Sequence, residues 1–243
     1  MFKKAIHHAI NAVGYDVCRL SSKVKPPFVK LEEMTITLCQ EHVDGAILYA
    51  DRMQALDALP RGGVVAEIGV AAGDFSAAML ARLAPCRFDA FDKFTLHELE
   101  QYGFWSWSWS PKEVFGGKHR AYYERRFAKE IAAGVVHVHE GDSSREMERQ
   151  PDSNYDVIYI DGDYSLEGVT RDACVSARKI KSDGVLVFND YIIFDYLHGV
   201  KYGVVQVVND FCVNRGWQVL YFALHNGMFC DIALCRGKRV LLA

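Results

Sequence analysis

Apolar runs and helical patterns alternate along most of the chain. The runs predict strands, and the stretches between them, with apolar residues three and four positions apart, predict helices. Because the runs are apolar almost throughout, each strand is expected to be covered on both faces, as in a mostly parallel sheet between helices. The predicted strands are residues 64–70, 86–92, 135–142, 155–163 and 184–190, and the predicted helices are residues 75–83, 168–180 and 200–215.

The two ends of the chain follow other patterns. Residues 31–59 show helical spacing of apolar residues until proline and glycine interrupt it. Near the other end, residues 217–225 and 228–236 are strand-like and are joined through Asn226 and Gly227, the dipeptide that best fits a tight antiparallel hairpin. We therefore expect helices at the start and an antiparallel pair of strands at the finish.

A long insertion separates the second and third predicted strands. It carries the run FWSWSWS at residues 104–110, and a strand would place its three tryptophans on one face. This run forms either packing under a loop or an apolar lid over a binding site. We predict an N-terminal helical segment at residues 1–58, then an α/β domain of seven strands at residues 59–243 with a lid at about residues 93–134.

Composition narrows the class of protein. The 243 residues are 50% hydrophobic and 24% charged with a formal net charge of −3, which argues against disorder and against general attraction to nucleic acid. The seven cysteines are scattered without a C-x-x-C pair, so we expect reduced thiols in the cytoplasm. The N-terminal apolar stretch is too short for a signal sequence, and no segment reaches transmembrane length. The expected partner is a small molecule.

A glycine turn follows the first predicted strand. In AEIGVAAGDFS, Gly69 and Gly73 remove side chains where the backbone turns into a helix, so a ligand could approach the main chain there. The third glycine of the dinucleotide fingerprint is missing, which disfavours NAD. The turn is preceded by Glu67, and an acid, Asp92, closes the second strand.

These features together resemble the class I S-adenosylmethionine-dependent methyltransferases. The pattern is E-x-G-x-x-x-G, then Asp92, then Gly141-Asp142-Ser143 after the third strand, and finally the terminal hairpin, over residues 59–236. The resemblance implies a Rossmann-like fold in which the turn faces the methionine part of S-adenosylmethionine and Glu67 its ammonium side. It implies that Asp92 binds the two ribose hydroxyls, with Asp89 as the alternative, and that Asp142 or Ser143 faces the adenine.

The acids after the fourth and fifth strands resemble a narrower group. IDGDYSLEG and LVFNDY are similar to metal-dependent O-methyltransferases, including those that act on sugars of natural products. This resemblance implies magnesium ligands at Asp161, Asn189 and Asp190, a set of hard oxygen donors. Relatives usually have Asp-Asp where this chain has Asn189-Asp190, and many have His in place of Tyr164.

The second acid of the pair has two interpretations. Asp163 resembles the general base that takes the proton of the acceptor hydroxyl. Alternatively, Asp163 and Glu167 simply begin the next helix, where acids are favoured. His225, beside the predicted hairpin turn, is the next candidate for the base.

The expected function is methyl transfer to a hydroxyl of a small polar metabolite, such as a sugar, assisted by magnesium. The alternatives are a metal-independent methyltransferase, a D-x-D glycosyltransferase and a non-catalytic protein that binds S-adenosylmethionine. We expect no nucleic-acid partner and no stable membrane insertion, and we allow for a homo-oligomer.

Overall fold

The computed structural model describes residues 36–100 and 110–237. They belong to one compact unit that begins at Ile36. Its centre is a sheet of eight strands, and a separate pair of two-residue strands, β7 and β8, lies outside that sheet. The strands are β1 Ile47–Tyr49, β2 Val64–Ile68, β3 Arg87–Asp92, β4 Val136–Glu140, β5 Tyr155–Ile160, β6 Ile180–Phe188, β7 Phe194–Asp195, β8 Val200–Lys201, β9 Trp217–Ala223 and β10 Asp231–Arg236.

The strand order in the main sheet is β1-β9-β10-β6-β5-β2-β3-β4. Only β10 runs against its neighbours, β6 and β9, and every other pair in this sheet is parallel. Strand β2 lies between β3 and β5, so the order reverses there, and ligands of α/β sheets bind beyond the carboxyl ends of strands at such a point. The prediction of a Rossmann-like, mostly parallel sheet with an antiparallel C-terminal pair is confirmed.

Helices cover both faces of the sheet, as the apolar strands predicted. Alternate residues of β5 belong to two different core clusters, with Val157 and Tyr159 in one and Ile158 and Ile160 in the other. The α-helices are α1 Gln40–Val43, α2 Arg52–Asp57, α3 Asp74–Leu83, α4 Pro111–Phe115, α5 His119–Arg126, α6 Ala128–Ala132, α7 Ser143–Glu148, α8 Leu166–Lys179 and α9 Val204–Arg215, and Leu96–Glu98 is a short 3-10 helix.

The predicted helix over residues 31–59 was wrong in its second half. Gly45 adopts a φ of +81° beyond the end of α1, so the chain turns out of the helix and residues Ile47–Tyr49 become β1, an eighth strand parallel to β9. A new helix then begins because Asp51 accepts hydrogen bonds from the N–H groups of Met53 and Gln54. Apolar spacing over a short stretch could not separate one helix from helix, strand and helix.

The predicted hairpin turn was also wrong, although its strands pair as expected. The paired residues end at Ala223 and resume at Asp231, so the connection is a loop rather than two residues. Its positive φ angle falls on Met228, at +63°, and not on Asn226 or Gly227. In contrast, Gly216 ends α9 with a φ of +72°, as predicted.

The insertion between β3 and β4 packs on the glycine turn through α5 and the residue that follows it. A side chain on Gly73 would place its Cβ 2.6 Å from the ring of Phe127 and 3.0 Å from that of Tyr123. The tryptophan run and residues 1–35 lie outside the described residues, so the predictions made for them remain predictions. In the part of the chain that the structure describes, every helix is too short or too polar to cross a membrane.

This packing generates a prediction about Gly73. Gly73→Ala should lower the free energy of unfolding by the cost of a left-handed alanine, about 1–2 kcal/mol, plus an overpacking cost of about 1–3 kcal/mol. Gly134→Ala is the matched control, because Gly134 has a φ of +70° but open space around it. Urea unfolding of both variants measures the difference. Equal losses of unfolding free energy would show that Phe127 moves aside without an energetic cost.

Candidate functional site

A cavity of about 330 Å³ opens at the point where the strand order reverses. Its size suits a small molecule. Apolar walls come from Ile68, Phe91 and Leu96. Six residues that the sequence predicted also line it, namely Gly69, Asp92, Asp142, Ser143, Asp161 and Asp163, whereas Glu67, Gly73, Asn189 and Asp190 do not.

Asp92 ends β3 and ties that strand to the glycine turn. One carboxylate oxygen accepts a hydrogen bond from the N–H of Val70 at 2.9 Å, and the other accepts one from the N–H of Phe94 at 2.6 Å. Each oxygen keeps a free lone pair, so two neighbouring hydroxyls of a ligand could still be bound. The arrangement fits the ribose role implied for Asp92.

The alternative to Asp92 is excluded by burial. Asp89 is 0% exposed in the middle of β3. Its oxygens accept hydrogen bonds from Arg87 at 2.8 Å, His139 at 2.8 Å and Tyr155 at 3.0 Å. Burial opposes ionisation of Asp89, but these hydrogen bonds from His139 and Arg87 outweigh it and hold the pKa below its usual value. Asp89 is therefore a structural ion-pair partner.

Contacts inside the protein leave no room for a side chain at either glycine of the turn. A Cβ on Gly69 would lie 2.0 Å from the carbonyl oxygen of Asp161, so the turn passes directly against the end of β5. The missing side chain of Gly73 makes room for Phe127. Both residues have a φ of +83°. We had expected both glycines to make room for a ligand, yet only Gly69 also borders the cavity.

Glu67 lies behind the turn and faces the insertion. It is 1% exposed, its carboxyl accepts a hydrogen bond from Ser76, and Ser76 in turn accepts one from the hydroxyl of Tyr123 at 3.0 Å. Burial raises the pKa of Glu67 well above its usual value, although the Ser76 bond opposes the shift. A direct contact with a ligand ammonium group therefore remains only a prediction.

The wall opposite the turn contains an acid that the sequence analysis missed. Asp142 caps α7 by accepting from the N–H of Arg145 at 3.2 Å, and Ser143 donates to Asp172 at 2.7 Å. Asp172, on α8, is 2% exposed and lines the cavity, and burial raises its pKa to about 6. A carboxyl on the apolar face of a helix, beside Val169 and Ala173, was the signal that could have revealed it.

Asp161 joins the cavity to a second polar region. Its carboxylate accepts hydrogen bonds from the hydroxyl of Tyr164 and, at 3.0 Å, from the amide nitrogen of Asn189. Removal from water raises the pKa of Asp161 to about 8, and the nearby charge of Asp190 adds to the shift. We call the neighbouring hydrogen-bonding residues the polar wall: Arg52, Tyr159, Tyr164, Asn189, Asp190 and Asp231.

Arg52 supplies the positive charge of the polar wall. Its guanidinium donates to the side-chain oxygen of Asn189 at 3.4 Å and lies 5.5 Å from the ring centre of Phe75. The hydroxyl of Tyr159 donates to Asp231 at 2.8 Å and lies 3.2 Å from the same oxygen of Asn189. Burial raises the pKa of Asp231 to about 7, and the charge of Arg52 opposes this.

These contacts do not fit the predicted magnesium ligands. The oxygen of Asn189 faces Arg52 and Tyr159, and its amide nitrogen, a donor, faces Asp161. Among the His, Cys, Asp and Glu side chains of the described residues, only the group Cys39, Glu41 and His42 brings three ligand atoms within 4.8 Å of one another, so no third acid takes the place of Asn189 as a ligand. The side chains of this group are hydrogen-bonded to each other at the start of α1: the thiol of Cys39 donates to Glu41 and lies 3.0 Å from the Nδ1 of His42, which also accepts from the N–H of Cys39. The arrangement therefore gives no support to a magnesium site at Asp161, Asn189 and Asp190.

Asp163 lies at the mouth of the cavity and also at the start of α8. It accepts from the N–H of Ser165 at 3.0 Å and lies 3.7 Å from the guanidinium of Arg171. Its side chain is 45% exposed, so one oxygen is accessible. Both interpretations of this acid, base and helix start, are compatible with this geometry. His225 lies beyond the polar wall, where burial and the charge of Arg52 lower its pKa.

Solved structures with a similar fold include several methyltransferases. A precorrin-6y C5,15-methyltransferase of Geobacter metallireducens GS-15 has a TM-score of 0.51 at 14% identity, covering 76% of this chain and 86% of that chain. Mitomycin 7-O-methyltransferase MmcR has a TM-score of 0.50 at 15% identity, covering 76% and 52%. A protein of Corynebacterium glutamicum has a TM-score of 0.53 at 12% identity, covering 98% and 99%. At these identities the likeness shows the fold alone.

The sequence matches no curated protein at a significant level. The family described as "Methyltransferase domain", however, matches residues 66–191, just over half of the chain. The match begins within β2 and ends at Tyr191, and so it includes the glycine turn, Asp92, Asp142 and Asp161. The chain therefore belongs to this methyltransferase family, with the fold of the class I S-adenosylmethionine-dependent enzymes.

Proposed function

We propose that the protein transfers a methyl group from S-adenosylmethionine to a hydroxyl oxygen of a small polar metabolite, such as a sugar. One observation supports the proposal most directly: Asp161 lines the cavity and also accepts a hydrogen bond from Asn189 of the polar wall, so the two regions meet at this residue. The polar wall offers both donors and acceptors of hydrogen bonds, which suits an acceptor with several hydroxyls. One oxygen of Asp231 is buried without a hydrogen-bond partner within the described residues, and a polar acceptor could supply that partner.

The cavity residues fit the cofactor. Asp92 presents paired oxygens for the ribose hydroxyls, Asp142 and Ser143 border the region proposed for adenine, and Ile68, Phe91 and Leu96 offer apolar surface. When bound, S-adenosylmethionine supplies a methyl group on a positively charged sulfur. The turn from Gly69 to Gly73 would hold its methionine part.

We assign the acceptance of the proton to Asp163. As the acceptor oxygen forms its bond to the methyl carbon, the bond from that carbon to sulfur breaks, and the hydroxyl proton passes to the accessible oxygen of Asp163. The N–H of Ser165 and the guanidinium of Arg171 orient this carboxylate. Asp161, held by Tyr164 and Asn189, would orient the hydroxyl.

We further propose that this reaction needs no divalent metal. Arg52 stands beside Asn189 and near Asp161, Asp190 and Asp231, so a protein cation already offsets part of the negative charge there. On this proposal the protein would belong to a metal-independent branch, although its acids resemble those of the metal-dependent sugar O-methyltransferases. The family assignment leaves the glycosyltransferase alternative without support.

The remaining expectations about context are proposals too. A net charge of −3 favours a small acceptor over nucleic acid, and scattered cysteines favour the cytoplasm. Assembly into a homo-oligomer remains a prediction.

The first prediction from this site concerns the cofactor. Asp92→Asn should weaken the binding of S-adenosylhomocysteine by about 10- to 100-fold, because a charged acceptor of two hydroxyl hydrogen bonds is lost. Glu140→Gln is the matched control: it changes an acid at the paired position of the neighbouring strand, outside the cavity. Calorimetry measures both. Equal affinities for the two variants would remove Asp92 from the ribose site.

The second prediction concerns the metal. The wild-type protein should methylate its acceptor at an unchanged rate in excess chelator, and electron paramagnetic resonance should detect no tightly bound Mn²⁺. If the wild-type protein binds one Mn²⁺ per chain and Asp190→Asn binds none, the metal-free proposal is wrong and the magnesium hypothesis is supported again. A Glu41→Gln variant separates binding at the exposed Cys39 group from binding at the polar wall.

The third prediction concerns the base. Incubation with S-adenosylmethionine and a panel of hydroxylated small molecules should yield a product one methylene heavier by mass spectrometry. Asp163→Asn should slow this reaction about 10²- to 10⁴-fold while sparing cofactor affinity, because an amide cannot take the proton. Glu167→Gln, which also faces Arg171, should react at the wild-type rate. A normal rate for Asp163→Asn would leave Asp163 as a helix-start residue only.

A further inference from the structure

The insertion contacts the glycine turn through two backbone carbonyls. The Nε2 of His119 donates to the carbonyl oxygen of Ala71 at 2.5 Å, and Arg126 donates to that of Ala72 at 2.7 Å. These two residues begin and end α5. One helix of the insertion therefore grips two consecutive peptide groups of the turn.

His119 sits in a place that packing alone would give to an apolar ring. It is 0% exposed, and its ring centre lies 5.0 Å from that of Phe94 and 4.3 Å from that of Phe115. Its Nδ1 is buried without a hydrogen-bond partner within the described residues. Burying an unpaired polar atom costs free energy, so the bond to Ala71 is the contact that explains a histidine here.

The turn needs such support because its backbone is unusual. Ala71 has a φ of +43° between Gly69 and Gly73, both at +83°. The left-handed region is unfavourable for alanine, and neighbouring contacts must hold such a residue in place. The bond from His119 fixes the orientation of the peptide group that joins Ala71 to Ala72.

The same peptide group also fixes the direction of the N–H of Ala72. In a trans peptide the C=O and the N–H point in opposite directions, so holding the Ala71 carbonyl toward the insertion directs the N–H of Ala72 away from it. Within the residues that the structure describes, this N–H has no protein partner. It is available to donate to an anion next to Ala71, which lines the cavity.

We propose that His119 and Arg126 are positioning residues for the amino-acid end of S-adenosylmethionine. By holding the carbonyl of Ala71, His119 keeps the N–H of Ala72 directed at the carboxylate of the bound cofactor. Arg126 holds the carbonyl on the other side of Ala72, and the next N–H, of Gly73, stays inside the turn on the carbonyl of Val70 at 2.7 Å. Arg126 also pairs with Asp74 at 2.7 Å, in the first turn of α3, which anchors the helix that follows the turn. The inference rests on the proposed binding of this cofactor in the cavity.

Two ligands that differ in the amino-acid carboxylate should respond differently to the loss of the His119 contact. S-adenosylhomocysteine carries the amino-acid carboxylate, whereas methylthioadenosine shares the nucleoside and the sulfur but lacks that group. Loss of the His119 contact should therefore weaken the first ligand and spare the second. A general loss of structure in the cavity would weaken both.

The test uses the full chain and calorimetry with both ligands. His119→Leu, which keeps apolar bulk but has no donor, should weaken S-adenosylhomocysteine about tenfold and leave methylthioadenosine nearly unchanged. His119→Gln should recover most of the affinity, because its amide N–H lies the same number of bonds from Cβ as Nε2. Equal losses for the two ligands, or no loss for either, would overturn the proposal.

A second pair of variants guards against misfolding of the buried site. Arg126 is partly exposed, so Arg126→Ala should fold, and it should weaken S-adenosylhomocysteine by about three- to fivefold because exposed contacts contribute less. Arg125→Ala is the control on the same helix, since Arg125 faces Tyr122. Equal affinities of Arg126→Ala and Arg125→Ala would contradict the proposal. If the wild-type protein binds neither ligand, the cofactor assignment itself has failed.

Discussion

The site depends on the close approach of the glycine turn to the ends of two strands. The N–H of Gly69 donates to Phe91 at the end of β3, and the N–H of Asp161, after β5, donates to Ile68 at 2.8 Å. A single added carbon at Gly69 would overlap the Asp161 carbonyl. Because both strands are pinned to the turn, Asp92 and Asp161 are held at the lining of one cavity, and the roles proposed for them depend on that arrangement.

The insertion is a structural part of this arrangement. Tyr123 reaches Ser76 and through it Glu67, Phe127 occupies the space left by Gly73, and His119 holds the turn. All three side chains come from the insertion, and they are buried against the glycine turn and the residues next to it. In its described portion the insertion therefore supports the wall of the cavity, whatever the neighbouring tryptophan run does.

Electrostatics distinguish the two halves of the site. On the cofactor side, each oxygen of Asp92 accepts one hydrogen bond from a backbone N–H group and keeps a lone pair for a ligand. On the polar-wall side, burial raises the pKa of Asp161, Asp190 and Asp231, and Arg52 is the neighbouring cation that counters the shift for all three. A half-buried guanidinium with five donors can neutralise charge and also bind acceptor oxygens, which would give this wall a means of recognising a polyhydroxylated molecule.

The sequence by itself determined the parallel sheet, the glycine turn and the acids at the strand ends, because apolar runs, glycine spacing and strand termini are local features. The resemblance to the methyltransferases also implied that Asp92 and Asp142 contact one cofactor, and both line the cavity. Only the tertiary structure decided that the missing side chain of Gly73 makes room for Phe127 and that Ile47–Tyr49 form an edge strand. It also decided that Arg52, Asp172 and His119 belong to the site. These depend on contacts between residues far apart in the chain, and no local pattern encodes which distant side chain will fill a given space.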